Sequence, residues 1–320
     1  MALCTAGVHF ARKGIALHPS IHGLWPAVLT PVDAADALDT ARAITHARHL
    51  LAQGCDGVTL FGTTGEGPAF TVAERQGLLE AMLASGIRPD QCIVTTTALA
   101  LGDAIAIGHH ASQHGVHRQM LMPPFYFNQP RDVGIANAVT QVIDGIASAD
   151  LRLLLYHFPA MSTFGFSHPL IATLVQRHPE QVVGVKDSGG DLAHSVALAQ
   201  AFPNLSILVG AEPHVAPTLV AGGAGSINGL GNIAPGLMRR ILDAPHAVAA
   251  TDTALMTGLL TLLNVHPGMN FVAAYKVILA EQSGDATWLN MRAPLHALEA
   301  FEVQAIRQGY RALGDTLKAI

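Results

Sequence analysis

Val182-Val183-Gly184-Val185-Lys186-Asp187-Ser188-Gly189-Gly190-Asp191 is the stretch on which the reading of the chain turns. It has the form of a short buried strand of β-branched residues that ends on a lysine and passes into a Gly/Ser/Asp turn. A strand covered on both faces should be apolar throughout, so a lysine at its end needs a reason. The chain has few lysines: Lys13, Lys186, Lys276 and Lys318 are all of them. Only Lys186 falls on such a strand end. An amine withdrawn from water loses part of its preference for the charged form. As the free base it can attack a ketone carbon and form a Schiff base. Taken alone, the same lysine could equally pair with a carboxylate at a sheet rim.

Outward from this stretch, apolar strands alternate with amphipathic helices. Strands are predicted at Leu24–Thr30, Gly57–Phe61, Cys92–Thr97, Gln119–Met122, Leu151–Tyr156, Val182–Lys186, Leu205–Val209 and Gly225–Asn228. Between them the spacing predicts helices over Asp36–Gln53, from the Thr71-x-x-Glu74 capping box to Ser85, and over Asp103–His114, Val133–Ala147, Pro169–Arg177, Leu192–Phe202, Val215–Ala221 and Pro235–Asp243. Strands recur about every 30 residues, the size of a βα repeat. Eight units over roughly 225 residues suit a (β/α)8 TIM barrel at 21–244. A doubly wound sheet is the rival fold, but no G-x-G-x-x-G opens the first unit. From residue 245 to 320 the pattern is helical only (Ala247–Val265, Met269–Glu281, Leu295–Leu313), which predicts a C-terminal helical extension packed on the barrel.

The composition bounds the rest. With 320 residues, half of them hydrophobic and 13% charged, the chain can bury a large core. A net charge of -5 and a pI near 6.4 argue against nucleic-acid or membrane-surface partners. No apolar run reaches the ~18 residues of a membrane span. Cys4, Cys55 and Cys92 are few and scattered, as in a reducing compartment. Residues 1–20 lack a basic start followed by an apolar block. They are expected to be a loosely ordered lead-in rather than a signal peptide, and the protein to be cytoplasmic.

In a (β/α)8 barrel, chemistry sits at the carboxyl ends of the strands. Polar and special residues collect at those predicted ends: Thr30, the turn Gly62-Thr63-Thr64-Gly65-Glu66, Tyr126, Tyr156, Lys186, Gly210 and Asn228. Two of the four tyrosines are among them. The Gly-Thr-Thr-Gly-Glu turn can point successive N–H groups inward as an anion cradle, or can simply be a βα turn in which Glu66 caps a helix.

These motifs together carry a resemblance. Gly62-Thr63-Thr64-Gly65-Glu66, Pro124-Phe125-Tyr126, Tyr156 before His157-Phe158-Pro159, Gly184-Val185-Lys186-Asp187-Ser188, and Gly222-Gly223-Ala224-Gly225-Ser226-Ile227-Asn228 through Asn232 are similar to the dihydrodipicolinate synthase / N-acetylneuraminate lyase family. The spacing agrees from about Leu24 to Leu298. The resemblance implies a Schiff-base pyruvate aldolase on a (β/α)8 barrel, with no metal and no organic cofactor. It implies that Lys186 forms an imine with a 2-oxo acid and that Tyr156 relays protons. Thr63 would link Tyr156 to Tyr126, and Tyr126 would reach the neighbouring subunit's site. Thr63 and Thr64 would hold the substrate carboxylate, with Gly210 and Ile227 lining the pocket. The partners implied are a 2-oxo acid and an aldehyde, and the assembly a dimer of dimers.

Departures bear on the substrate. Synthase members carry an arginine shortly after the tyrosine, and here Met161 stands in its place. Loss of such a charge-assisted partner should cost a dicarboxylate substrate a few kcal/mol. Dihydrodipicolinate synthase is therefore the second reading, and a non-catalytic pyruvate sensor the third. His157 stands where asparagine is usual. Elsewhere, His109, His110, His114 and His117 cluster, with His110 and His114 on one helix face. No acidic residue or cysteine adjoins them in sequence, so no metal site is expected. Nor is a phosphate site expected in the run from Gly222 to Gly231, which no basic residue flanks before Arg239.

Overall fold

Parallel strands that are apolar on both faces need cover on both, which a closed barrel within a ring of helices provides. The computed structural model describes residues 21–266 and 270–314. In order these form β1 (Gly23–Leu24), α1 (Thr40–Ala52), β2 (Val58–Leu60), α2 (Val72–Ala84), β3 (Cys92–Thr95), α3 (Leu101–Gln113), β4 (Arg118–Leu121), α4 (Asp132–Ile146), β5 (Arg152–His157), the single turn α5 (Pro159–Ser162), α6 (His168–Arg177), β6 (Val182–Asp187), α7 (Leu192–Ala201), β7 (Ser206–Val209), α8 (Val215–Val220), β8 (Gly225–Ser226) and α9 (Pro235–Asp243). Then come α10 (Ala250–Leu262), α11 (Phe271–Ser283) and α12 (Ala300–Ala312). The strands are all parallel, in the order β1-β8-β7-β6-β5-β4-β3-β2. A parallel bridge from Ala27 to Thr59 joins the first strand's continuation to β2 and closes the ring. This is the expected (β/α)8 barrel followed by helices. The expected lead-in at 1–20 lies outside the described residues.

Side chains alternate faces along each strand. One set points into the barrel, where Trp25, Ala27, Ile93, Met120, Leu154, Tyr156, Leu208 and Ile227 form a core. The other set packs under the helices, as Leu153, Leu155, Val185 and Ile207 do against Leu170, Leu174 and Leu198. The helix α11 is buried with the barrel rather than beside it. Its Val272, Tyr275 and Ile278 share one core with Leu24, Val28, Leu60 and Val209.

Several element ends differ from the sequence reading. The first strand was expected over Leu24–Thr30 but is regular only at Gly23–Leu24. Pro26 has no N–H to give a ladder, yet its carbonyl still accepts from Thr59 N at 2.8 Å. The first helix begins at Thr40, not Asp36. Asp39 caps it by accepting from Arg42 N at 2.9 Å, while residues 33–37 are tied into a turn by the Asp33 carboxylate. The Thr71–Glu74 capping box is present with both of its hydrogen bonds. The last helix starts at Ala300 rather than Leu295. The apolar spacing misled there, because Leu295 and Leu298 pack on the core from an irregular strap. That strap is pinned by Arg292, which donates to Glu74 at 2.8 Å and lies over the Phe70 ring.

Candidate active site

The register of two strands sets the site. Tyr156 on β5 pairs directly with Lys186 on β6, so both side chains point to the same, inner face. Adjacent strands lie about 4.8 Å apart, and the Lys186 amine comes to 4.1 Å from the centre of the Tyr156 ring. Both residues are buried, Lys186 at 3% exposure and Tyr156 at 2%. No carboxylate lies within ion-pairing distance of Lys186 among the described residues. The Tyr156 hydroxyl meets Thr63 Oγ1 at 3.0 Å.

Thr63 and Thr64 are delivered by the turn after β2. This turn is strained at both ends: Phe61 has φ 58 and Glu66 has φ 56, a left-handed backbone unusual for bulky residues. The surroundings hold it. The Thr30 hydroxyl donates to Gly65 O at 2.7 Å. Glu66 Oε1 meets Lys276 Nζ of α11 at 2.6 Å, and both side chains are shut off from solvent. Burial pushes the Glu66 carboxyl up and the Lys276 amine down, each opposed by its partner's charge. At Gly210, just past β7, any larger residue would have to turn the Ser188 hydroxyl aside. A Cβ there would lie 2.1 Å from Ser188 Oγ, and its N–H donates to Asp187 O at 2.7 Å.

The next pair along the same two strands, His157 and Asp187, faces the opposite way, toward the helices. Asp187 accepts from Ser195 Oγ at 2.7 Å, Gly189 N at 2.9 Å and His194 Nδ1 at 3.0 Å. Burial alone would raise the Asp187 carboxyl, but these hydrogen bonds outweigh it and hold it below its usual range. The hydrogen bond to Asp187 raises His194, whereas burial lowers His157. The Asp187 group anchors the strand end that carries Lys186. His157 is thereby a structural residue of the β5 loop, its Nδ1 lying 3.1 Å from Phe166 N and 3.2 Å from Phe166 O.

Lys186, Tyr156, Thr63, Thr64, Gly210 and Ile227 line one cavity of about 260 Å³ at the carboxyl ends of the strands. Tyr126 does not join them in the single chain. It is 69% exposed on the loop after β4, with its ring edge-on to Phe127. Met161 is also turned outward, on α5. The sequence reading missed the far wall of the cavity, which α10 and α11 supply with Leu260, Leu263, Asn264, Phe271 and Tyr275. It also missed Glu212, two residues past Gly210, which is buried and accepts from Leu230 N at 2.9 Å. Burial raises the Glu212 carboxyl and sends the neighbouring Tyr275 phenol well above its usual range. Lys186 is the only cationic side chain lining the cavity among the described residues. No described helix is long and apolar enough to cross a membrane.

Comparison with known proteins follows the same outline. The sequence pattern of the Dihydrodipicolinate synthetase family matches residues 20–309. An uncharacterized DapA-like lyase of Chloroflexus aurantiacus is 33% identical over 298 residues, 91% of this chain and 96% of that protein. A 4-hydroxy-tetrahydrodipicolinate synthase of Mycobacterium leprae is 31% identical over 221 residues, 69% of this chain and 71% of that one. Among solved structures, dihydrodipicolinate synthase from Agrobacterium tumefaciens superposes with a TM-score of 0.84 at 31% identity, covering 92% of this chain and 100% of that one. A Ruminococcus gnavus sialic acid aldolase reaches the same TM-score, 0.84, at 21% identity over 93% and 97% of the two chains, and shares the fold. With its pattern matched from end to end of the barrel and relatives above 30% identity, the chain belongs to the dihydrodipicolinate synthetase family.

Proposed function

We propose that the protein is a Schiff-base lyase that joins or cleaves pyruvate, or a similar 2-oxo acid, and an uncharged aldehyde. The observation that carries this reading is the buried Lys186 amine, in no ion pair among the described residues and held 4.1 Å over the Tyr156 ring in an open cavity. In the cleavage direction the amine attacks the ketone carbon of a 4-hydroxy-2-oxo acid, and water leaves to give the imine. Tyr156, having given its proton to the departing water, takes the proton of the 4-hydroxyl. The bond between C3 and C4 breaks, its electrons pass into the imine as an enamine, and the aldehyde departs. Protonation at C3 and hydrolysis then free pyruvate and the amine. The iminium acts as the electron sink, so the step as read draws on no metal or organic cofactor. A phenol beside a cationic imine ionises more readily than in water, and the Thr63 hydroxyl 3.0 Å away steadies it. Thr63 and Thr64 are read as the carboxylate grip, with Gly210 and the backbone of Ile227 shaping the same end.

The far wall argues for an uncharged aldehyde. It offers Phe158, Leu260, Leu263 and Phe271 for packing, and Asn264, Ser188 and the Glu212–Tyr275 pair for hydrogen bonds. It holds no arginine, lysine or histidine among the described residues to balance a second anionic group, and a buried anionic group without a partner is costly. In the working form we read Tyr126 as extending from an exposed loop into the cavity of a second copy, within a cytoplasmic dimer of dimers.

Borohydride reduction in the presence of pyruvate tests the chemistry, with peptide mapping by mass spectrometry. The expected adduct sits on Lys186, and an unmodified protein would sink the reading. Pyruvate supplied with neutral, carboxylated or phosphorylated aldehydes tests the partner. Efficient turnover of aspartate semialdehyde would instead make the protein a dihydrodipicolinate synthase. Imine formation with no turnover of any aldehyde would make it a sensor.

A further inference from the structure

Two groups of metal-capable side chains stand outside the cavity among the described residues. Existing hydrogen bonds and exposure separate them. In the group of His157, Asp187 and His194, the fold already ties down the atoms that face one another. His157 Nδ1 lies 3.1 Å from Phe166 N and 3.2 Å from Phe166 O, so it is engaged in either tautomer. Asp187 is occupied by Ser195, Gly189 and His194. An ion would have to displace each of these.

The second group differs. His110 lies in the last turn of α3 and His114 at its C-cap, one helical turn on. Glu80 comes from α2, 30 residues back from His110 in the chain, which is why no sequence window held it beside the histidines. Its Oε1 is 2.7 Å from His110 Nε2. The two imidazoles lie side by side at a tilt of 40°, ring centres 4.3 Å apart. His114 Nδ1 lies 2.9 Å from the carbonyl of His110, which can only accept. Nδ1 therefore carries the proton, and Nε2 keeps its lone pair, the tautomer and orientation that backbone carbonyls impose on metal-binding histidines. Ligand atoms of all three residues lie within 4.8 Å of one another, close enough for bonds of about 2.0–2.2 Å to one ion after a small movement. Glu80 can make that movement, because its side chain is 56% exposed.

We propose that Glu80, His110 and His114 form a binding site for a divalent transition cation such as zinc, nickel or copper. Two imidazoles and one carboxylate suit those borderline ions, whereas calcium and magnesium seek oxygen-rich cages. The ion takes the place of the proton between His110 and Glu80; a neutral His110 shifts that proton to Nδ1, and an imidazolium releases it to solvent. Three protein ligands leave the remaining coordination positions to water. The bound ion ties α2 to α3 on the outer helical layer, away from the cavity, so it stabilises the fold without taking part in the reaction.

The test is calorimetric titration of chelator-treated full-length protein with zinc, beside His114→Ala, Glu80→Gln and His109→Ala. His109 is the control, because its nitrogens are engaged by Ile146 O and Gln113. Wild type and His109→Ala are expected to bind with equal affinity. The two ligand variants should lose at least the roughly 10- to 100-fold that loss of an outer-shell partner costs. Zinc should raise the melting temperature of wild type and not of Glu80→Gln, and calcium should raise neither. Equal zinc binding by wild type and His114→Ala, or loss of binding in His109→Ala, would overturn the proposal. Pyruvate trapping on Lys186 is expected to be unchanged in all three variants, which keeps this test separate from that of the lyase reading.

Discussion

Among the described residues two lysines are shut away from solvent, and they are used in opposite ways. Lys276, on α11, is fully buried against Glu66 at 2.6 Å and also donates to Asn290 O at 3.2 Å. Lys186, on β6, is buried to nearly the same degree, yet makes no ion pair among the described residues and faces a cavity instead, with the Glu212 carboxyl in the same lining. Burial alone therefore does not mark a reactive amine. A buried amine held in an ion pair braces the structure, while one that lies over an aromatic face beside a cavity, out of ion-pairing distance of any described carboxylate, can react with what enters. The two are also connected. Glu66 ends the turn that presents Thr63 and Thr64, so Lys276 supports from behind the turn that Lys186 meets from the front.

The comparison can be broken first at Lys186. Lys186→Ala is expected to lower turnover by roughly ten-thousand-fold or more, the scale seen when a covalent nucleophile is removed, and to abolish pyruvate trapping, with little loss of melting temperature. Lys276→Ala should do the reverse. It leaves Glu66 buried without its ion-pair partner, with only Arg292 still acting on it, a change worth about 3–5 kcal/mol, and should lower the melting temperature by roughly 10 °C. The fraction that stays folded should still trap pyruvate on Lys186. The double variant Glu66→Leu with Lys276→Met should recover most of the lost stability. Equal loss of trapping in both lysine variants would erase the distinction drawn between them.

Smaller effects sharpen the contrast. Thr63→Val removes the hydroxyl that meets Tyr156 and should slow turnover by about 100-fold, in the range of proton-transfer contributions. Trapping on Lys186 should persist at a lower rate. The smallest expected effect is at the anchor of the Lys186 strand. Because the hydrogen bond to Asp187 raises His194 in the folded state, its contribution is complete below the unfolded imidazole value of about 6.5. It is lost as pH rises through the higher folded value. His194→Gln is therefore expected to cost on the order of 1 kcal/mol at about pH 6, with the gap from wild type narrowing toward about pH 9. Melting curves at the two pH values measure it.

The sequence carried what is local or periodic. The eight strands could be found because each is short, apolar and followed by a polar residue, and Lys186, Tyr156, Thr63 and Thr64 stood out because they interrupt or end that pattern. Glu212, Asn264, Tyr275 and Lys276 carried no such mark. Each lies on a helix, in the turn before one or in a loop, in a run whose apolar neighbours look like any amphipathic segment. Their meaning comes from α10 and α11 folding over the mouth of the barrel. Glu80 escaped notice beside His110 and His114 for the same reason, since helix packing brings it there. The error at Leu295 shows the converse: apolar residues at helical spacing can line an irregular strap when a nearby core accepts them.

The cavity is built from two sources. Its floor and reactive side come from strand ends, while Leu260, Leu263, Asn264, Phe271 and Tyr275 reach it from α10, α11 and the loop between them. Substitution in that hairpin can change which aldehydes fit without moving the register that sets Lys186 over Tyr156. Ancestral tinkering or laboratory evolution has there a surface to rewrite, and new substrate preferences can arise from an appendage while the inherited reagent keeps its posture.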